Sequence, residues 1–187
     1  MMKRAAYAII LICSCVLFSC SQDKIKEAAN SSIRFASLPS SKTGINFNNI
    51  ITETDSFNLV ADAYAYMGSG VGIGDFNNDG LQDVFLGGNQ VSSRLYINKG
   101  DLSFEDITGK AGLTTSQWIT GVSIVDINND GFDDIYLCAS GSKNPLERKN
   151  RLFINDGHLG FTEQAEAYGL ADTSYSTQAV FFDYDKD

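Results

Sequence analysis

Residues 70–88 read GVGIGDFNNDGLQDVFLGG, and residues 121–139 read GVSIVDINNDGFDDIYLCA. The two stretches align without a gap. Downstream, RLYINKG at 94–100 aligns with RLFINDG at 151–157, Phe104 with Phe161, and Ala111-Gly112-Leu113 with Tyr168-Gly169-Leu170. A third copy begins at Gln178 as QAVFFDYDKD and runs to Asp187. The leading Asp recurs at 75, 126 and 183, a period of 51 and then 57 residues. The extra residues fall in the polar stretch 140–150, which reads as a lengthened loop. Repeats of this length mark solenoids, propellers and arrays.

Within each copy the apolar spacing is two. Val71 and Ile73 alternate with Gly70, Gly72 and Gly74, and Val122 and Ile124 alternate with Gly121 and Ser123. The runs 84–86, 95–97 and 135–137 are short, rich in β-formers and bounded by Gly, Asn or Asp. This predicts strands at 70–76, 83–87, 94–98 and 103–107, then at 121–126, 134–138, 151–155 and 160–165, with an irregular or short helical crossover at 109–118. Four strands per unit of about fifty residues describe a propeller blade. The expected fold is therefore all-β, a partial β-propeller with two four-stranded blades (about 66–116 and 117–173) and a third beginning near 176. Gly-rich first strands fit such a fold, because the innermost strands crowd the axis and need small side chains.

Between the first two strands of each copy lies a loop of oxygen-bearing residues. It reads Asp75-x-Asn77-x-Asp79-Gly80-Leu81-x-Asp83, then Asp126-x-Asn128-x-Asp130-Gly131-Phe132-x-Asp134, and begins again at Asp183, Asp185 and Asp187. Ca²⁺ takes about six to eight oxygens at roughly 2.3–2.6 Å. Side chains at loop positions 1, 3 and 5 converge in a tight turn, and Gly at position 6 permits it. The carbonyl at position 7 and the carboxylate at position 9 would close the shell. Acids crowded into one turn repel each other unless a cation compensates them. An Asn-Asp-Gly hairpin turn explains one such loop; two full copies and the start of a third at the same place in a repeat favour metal. An EF-hand is excluded because position 12 is Leu86 or Leu137 and strands flank the loop. Mg²⁺ demands stricter octahedral geometry. Zinc is disfavoured by a single His and the lack of a Cys pair beyond the leader.

The chain has 187 residues, with 14 basic and 23 acidic side chains and a net charge of −9. That balance argues against nucleic acid, whose phosphates need Lys and Arg clusters. The first residues read as an address. Met1–Arg4 is a short basic start, residues 5–18 are apolar but too short to span a bilayer, and Leu17-Phe18-Ser19-Cys20 resembles the bacterial lipobox. The alternative is an ordinary signal peptide with an incidental Cys. On the lipobox reading residues 1–19 are removed, Cys20 carries the lipid, and loss of Lys3 and Arg4 leaves 12 basic against 23 acidic residues, a charge of −11. Residues 20–43 read as a polar tether. Cys138, inside an apolar run, reads as a small buried hydrophobe. His158, in an Asn-Asp-Gly-His turn, reads as a surface turn residue.

GVGIGDFNNDGLQDVFLGGN and GVSIVDINNDGFDDIYLCAS resemble FG-GAP (VCBS-type) repeats, the blade repeats of integrin-α-like β-propellers. The resemblance implies Ca²⁺ in the loops, held by Asp75, Asn77, Asp79, the Leu81 carbonyl and Asp83, and by Asp126, Asn128, Asp130, the Phe132 carbonyl and Asp134. Asn at the third position keeps an oxygen and removes a charge. RLYINKGDLSFEDITGKAGL and RLFINDGHLGFTEQAEAYGL are similar to blades of the ASPIC/UnbV group, which includes cartilage acidic proteins and large bacterial lipoproteins. The sequence stops inside the third loop, which implies an N-terminal fragment forming an open arc. Gly44-Ile45-Asn46-Phe47 reads as an outermost strand of the Phe104 type, able to complete a last blade in a whole ring.

The expected function is a non-enzymatic, Ca²⁺-stabilised lipoprotein scaffold of the cell envelope. It would be anchored by lipid in the outer membrane, facing the periplasm or the surface, and would bind a protein or glycan. Ser21 at the second mature position gives no inner-membrane retention signal, and Asp23-Lys24 supports surface display. The alternative is a polysaccharide-active propeller enzyme, a lyase or hydrolase, with Trp118 and Tyr175 as a sugar platform or as aromatic packing.

Overall fold

A computed structural model of the chain describes residues 35–185. The signal segment 1–19, Cys20 and Asp187 lie outside the described residues. The chain divides into two compact units, 1–37 and 38–187. In the first, residues 35–37 carry no regular structure.

The second unit is all-β. Strands β1 (Val71–Gly74), β2 (Asp83–Leu86), β3 (Arg94–Asn98) and β4 (Phe104–Asp106) form one four-stranded antiparallel sheet in sequence order. Strands β5 (Trp118–Val125), β6 (Asp134–Ser140), β7 (Arg151–Asn155) and β8 (Phe161–Glu163) form a second in the same order. These are two open blades of a partial propeller. The expected strands are all present within a residue or two, except that β5 starts at Trp118, three residues early. Its added length of chain pairs Trp118 with Ser140 and Ile119 with Ala139 across an irregularity before Gly121. The lengthened loop 140–150 holds a 3₁₀ turn, Pro145–Arg148, capped by the Asn144 side chain.

The blades stack through their first strands. A Cβ on Gly70 would lie 2.5 Å from the Val122 nitrogen, and one on Gly72 would lie 2.6 Å from Cδ1 of Ile124. Val122 and Ile124 thus seat on the glycine track of β1. One apolar core runs between the blades, from Phe85, Leu95 and Ile97 of the first to Ile135, Leu137 and Phe153 of the second. A second cluster on the far face of β6 and β7 joins Tyr136, Cys138, Leu152 and Ile154 to Ala179 and Phe181 of the third copy. Every residue of β6 but the last is buried, whereas β2 alternates buried and half-buried. The difference has one cause: β6 has a neighbour on each face and β2 on one.

The third copy is not a strand in residues 176–185, but it lies along β5. Thr120 Oγ1 donates to the Ser176 carbonyl at 2.7 Å, one repeat after Ser69 Oγ donates to the Ile119 carbonyl at 2.6 Å. The same side-chain contact thus links each first strand to the next.

Residues 44–47 form no strand. A short helix, α1 (Ser40–Thr43), ends at Gly44 in the left-handed region (φ 77°), and a Cβ there would collide with the Phe104 carbonyl. Gly112 (φ 76°) faces the Phe161 carbonyl in the same way. Gly44 therefore corresponds to Gly112, in the turn after an outermost strand, and segment 44–47 is not an outermost strand of the Phe104 type.

On the far face of the second blade, Tyr136 Oη donates to the Leu170 carbonyl at 2.9 Å and accepts from Asn150 Nδ2 at 3.0 Å. Asn150 also accepts from the Ala139 amide through Oδ1 and donates to Ser176 Oγ. Tyr136→Phe leaves the Leu170 carbonyl and one Asn150 proton without a partner. A cost of about 1–2 kcal/mol is expected by urea unfolding.

Candidate metal centre

Each Asp/Asn loop is wound by its own side chains. Asp75 accepts from the amides of Asp79 (Oδ1, 3.0 Å) and Gly80 (Oδ2, 2.8 Å). Asn77 Oδ1 accepts from the same Asp79 amide at 3.2 Å, and Asp79 Oδ1 accepts from Leu81 at 2.8 Å. The second loop repeats every contact. Asp126 accepts from Asp130 at 3.0 Å and Gly131 at 2.8 Å, Asn128 from Asp130 at 3.1 Å, and Asp130 from Phe132 at 2.9 Å. Asn78 (φ 54°) and Gly80 (φ 84°) turn the chain through the left-handed region, as do Asn129 (57°) and Gly131 (88°). A Cβ on Gly80 or Gly131 would meet nothing within 4 Å, so these glycines are needed for their φ alone.

Asn at the third position has a second consequence. Asn77 Nδ2 donates to Asp79 Oδ2 at 2.9 Å, and Asn128 Nδ2 to Asp130 Oδ2 at 2.8 Å. An Asp at this position would put repulsion where the amide puts a hydrogen bond.

The ninth residue of each loop is fully buried. Asp83 accepts from the amides of Phe76 (3.0 Å) and Asn98 (2.7 Å), and Asp134 from Ile127 (3.1 Å) and Asn155 (2.8 Å). Each ties the loop to the third strand of its blade. Burial pushes both carboxyls above the usual aspartate range, and the nearby charges of Asp79 and Asp75, or Asp130 and Asp126, add to the push.

The loops thus bring together Asp75, Asn77 and Asp79, and Asp126, Asn128 and Asp130, with Asp83 and Asp134 buried beneath them. Leu81 and Phe132 join through their amides. Asp183 and Asp185 lie in irregular chain. The donors are oxygens throughout, which suits a hard cation. Each carboxylate oxygen that accepts one amide keeps a second lone pair. The upward push on the buried acids is the electrostatic condition that a bound cation relieves. Among the described residues no three carboxylate, imidazole or thiol side chains form a group placed to hold a metal ion. The donor chemistry fits Ca²⁺, and binding would require the loop side chains to turn inward from their amides.

Two features escaped the sequence reading. Asp133, at position 8, accepts from the Asp75 amide through Oδ2 at 3.1 Å, and Asn78 Nδ2 donates to the Gly131 carbonyl at 2.9 Å, so the two loops are joined. Burial and the charges of Asp126 and Asp75 push the Asp133 carboxyl upward. The signal lay in the one position where the loops differ in chemistry, Gln82 against Asp133. Asn155 Nδ2 donates to the Phe76 carbonyl of the preceding blade at 2.8 Å, and Asn98 Nδ2 to Gln82 within its own. The aligned RLYIN and RLFIN runs display both asparagines.

Cys138 is buried, which pushes its thiol up to about 11, outside the range of a nucleophile at neutral pH. His158 is held in its turn by Asp156.

Residues 75–137 match the FG-GAP-like repeat. The matched span opens on the first residue of the first loop and contains the second entire. Integrin alpha-3 of Cricetulus griseus and integrin alpha-3 of Mus musculus are each 33% identical to this chain over 108 residues, 51% of this chain and 10% of the integrin. The chain thus spans about a tenth of the length of these curated relatives. It carries an FG-GAP-like repeat.

Proposed function

We propose that this chain is a non-enzymatic scaffold of the cell envelope, with Ca²⁺ in its Asp/Asn loops and a protein or glycan partner. Cys20 carries its lipid and anchors it in the outer membrane, as in lipoproteins of the ASPIC/UnbV kind. The observation that carries the reading is the duplication of one oxygen-only loop, contact for contact, at the same place in two blades. Supporting it are the FG-GAP-like match across both loops and the excess of 23 acidic over 14 basic residues. In each loop, the first, third and fifth side chains with the position-7 carbonyl would hold the ion, and the ninth carboxylate would support it from beneath. The ion would supply charge compensation and rigidity, with no chemical step.

Thermal unfolding in Ca²⁺ and in chelator tests this. With Ca²⁺ about a hundredfold above its Kd, each site adds ~2.7 kcal/mol, which is roughly 5–10 °C for a chain of this size. Asp79→Ala with Asp130→Ala should abolish the shift. Equal midpoints in Ca²⁺ and in chelator for the unsubstituted chain would remove the metal from the reading.

A further inference from the structure

On the side of the blades away from the Asp/Asn loops, the start of β5 and the end of β6 border a cavity of about 510 Å³. That is within the size range of small-ligand sites, about 300–1,000 Å³. Asp62, Tyr64 and Met67 of segment 51–68, Trp118 and Ser140 of β5 and β6, and Tyr175 and Thr177 from the chain before the third copy line it. We infer that this cavity binds a neutral oligosaccharide. The assignment rests on the scaffold reading and gives the class of its partner.

Three features select that occupant. The first is aromatic surface from three separate segments: Tyr64 and Tyr175 are 72% and 64% exposed, and Trp118 is half-buried in the same lining. Exposed rings at a cavity mouth suit the apolar C–H face of a pyranose. The second is a supply of uncommitted polar groups. Among the described residues the hydroxyls of Ser140, Thr177, Tyr64 and Tyr175 make no side-chain hydrogen bond, and Asp62 uses only Oδ1, accepting from the Tyr64 amide at 3.0 Å. A sugar offers hydroxyls to these groups and an apolar face to the rings. The third is charge. Asp62 is the one ionisable acid or base in the lining apart from the two tyrosines, so the lining itself offers no cation to an acidic glycan. The cation next to the cavity, Arg148, is already spent on the carbonyls of Thr173, Ser142 and Lys143 at 2.7–3.0 Å.

The walls are also held in place before any ligand arrives. The Arg148 guanidinium sits 4.2 Å over one face of the Tyr175 ring. Trp118 packs on Phe57 with centroids 5.3 Å apart, and Gly141 has no Cβ where one would lie 2.6 Å from the indole. Rigid walls reduce the ordering cost of binding.

Trp118 is the single tryptophan of the chain, and because it also borders the neighbouring pocket of Gln117 and Arg151, Tyr175, which lines this cavity and not that one, tells the two apart. The test is titration of the full chain, in Ca²⁺, with cellotetraose, xylotetraose, mannotetraose and chitotetraose. Tetragalacturonate and a neutral Ser-Gly-Tyr repeat peptide complete the panel. At least one neutral tetrasaccharide should shift Trp118 emission saturably, and Tyr175→Ala should weaken that binding about tenfold. A cooperative thermal melt of the variant, at the parent's midpoint in the same buffer, checks that it folds. The inference is overturned if no neutral tetrasaccharide gives a saturable shift, if tetragalacturonate or the peptide binds more tightly, or if a folded Tyr175→Ala binds as well as the parent. Sugar binding without a Ca²⁺ shift in melting would sink the metal reading and leave the cavity assignment standing; a Ca²⁺ shift without sugar binding would do the reverse.

Discussion

Asp134→Ala is expected to cost about 3 kcal/mol in chelator, as read from urea unfolding. Asp134 is fully buried, and its two oxygens accept from the amides of Ile127 and Asn155. Truncation orphans both amides, each at about 1–3 kcal/mol, and leaves a small void. Part of the loss is offset because a buried charge that burial itself disfavours is removed. Asp134→Asn separates the two terms. It keeps the shape and one acceptor, turns an NH₂ toward the other amide, and removes the charge. Its cost should be smaller, about 1–2 kcal/mol above pH 6. The pH dependence follows from the direction of the shift. A carboxyl pushed up from 3.8 binds more protons in the folded chain than in the unfolded one. Its contribution is therefore full below the unfolded value and lost as pH rises through the folded one. In chelator, this group should make the parent lose stability relative to Asp134→Asn as pH rises across that window; Asp83 and Asp133, pushed up in the same way, remain in both. A chelated parent whose stability rises with pH relative to Asp134→Asn over this interval would mean that the amide hydrogen bonds outweigh burial at Asp134.

How much of this was legible in the sequence depended on whether the information was local. The eight strands are set by alternation and by turn residues, both of which repeat, so each copy checks the other. The loops were legible for the same reason: Asp, Asn, Asp and Gly act on amides two to five residues away. Segment 44–50 shows where that reasoning stops. Its odd positions 45, 47 and 49 are half-buried and its even positions exposed, so the alternation is present. What is lacking is a ladder partner, since the outer side of β4 is met by the Gly44 turn and by side chains, and period-two burial without a partner strand is extended coil. The links between blades were illegible because they are contacts between copies. Asp133 to the Asp75 amide spans 58 residues and Asn155 to the Phe76 carbonyl spans 79. No motif within one repeat encodes them. The aromatic cavity is of the same kind, assembled from segment 51–68, the start of β5, the end of β6 and the chain before the third copy.

The stacking of the blades itself is tested by Gly70→Ala, for which a loss of about 2–3 kcal/mol is expected in chemical denaturation. The added Cβ would sit 2.5 Å from the Val122 nitrogen and 2.8 Å from the Gly121 carbonyl carbon. Both are backbone atoms of β5, held by pairing of Gly121 with Cys138 and Val122 with Leu137, so relief requires moving a strand. The carbonyl of Gly70 also accepts from Gly87 at 2.9 Å, which resists movement from its own side. Gly72→Ala meets side-chain atoms instead, Cδ1 and Cγ1 of Ile124 and Cγ1 of Val122, and Ile124 is only half-buried. Rotamer adjustment there should hold the cost near 1 kcal/mol. Gly109 supplies the reference: nothing lies within 4 Å of its Cβ position and its φ is not in the left-handed region. Gly109→Ala should be neutral or stabilise by about 0.4–1 kcal/mol, through a smaller unfolded-state entropy. The order Gly70 worst, Gly72 intermediate, Gly109 harmless is specific to first strands that stack backbone on backbone. If all three behaved like Gly109, β1 and β5 would not be in contact. Val122 and Ile124 would then have no glycine track to seat on, and the two sheets would be separate hairpin pairs instead of successive blades.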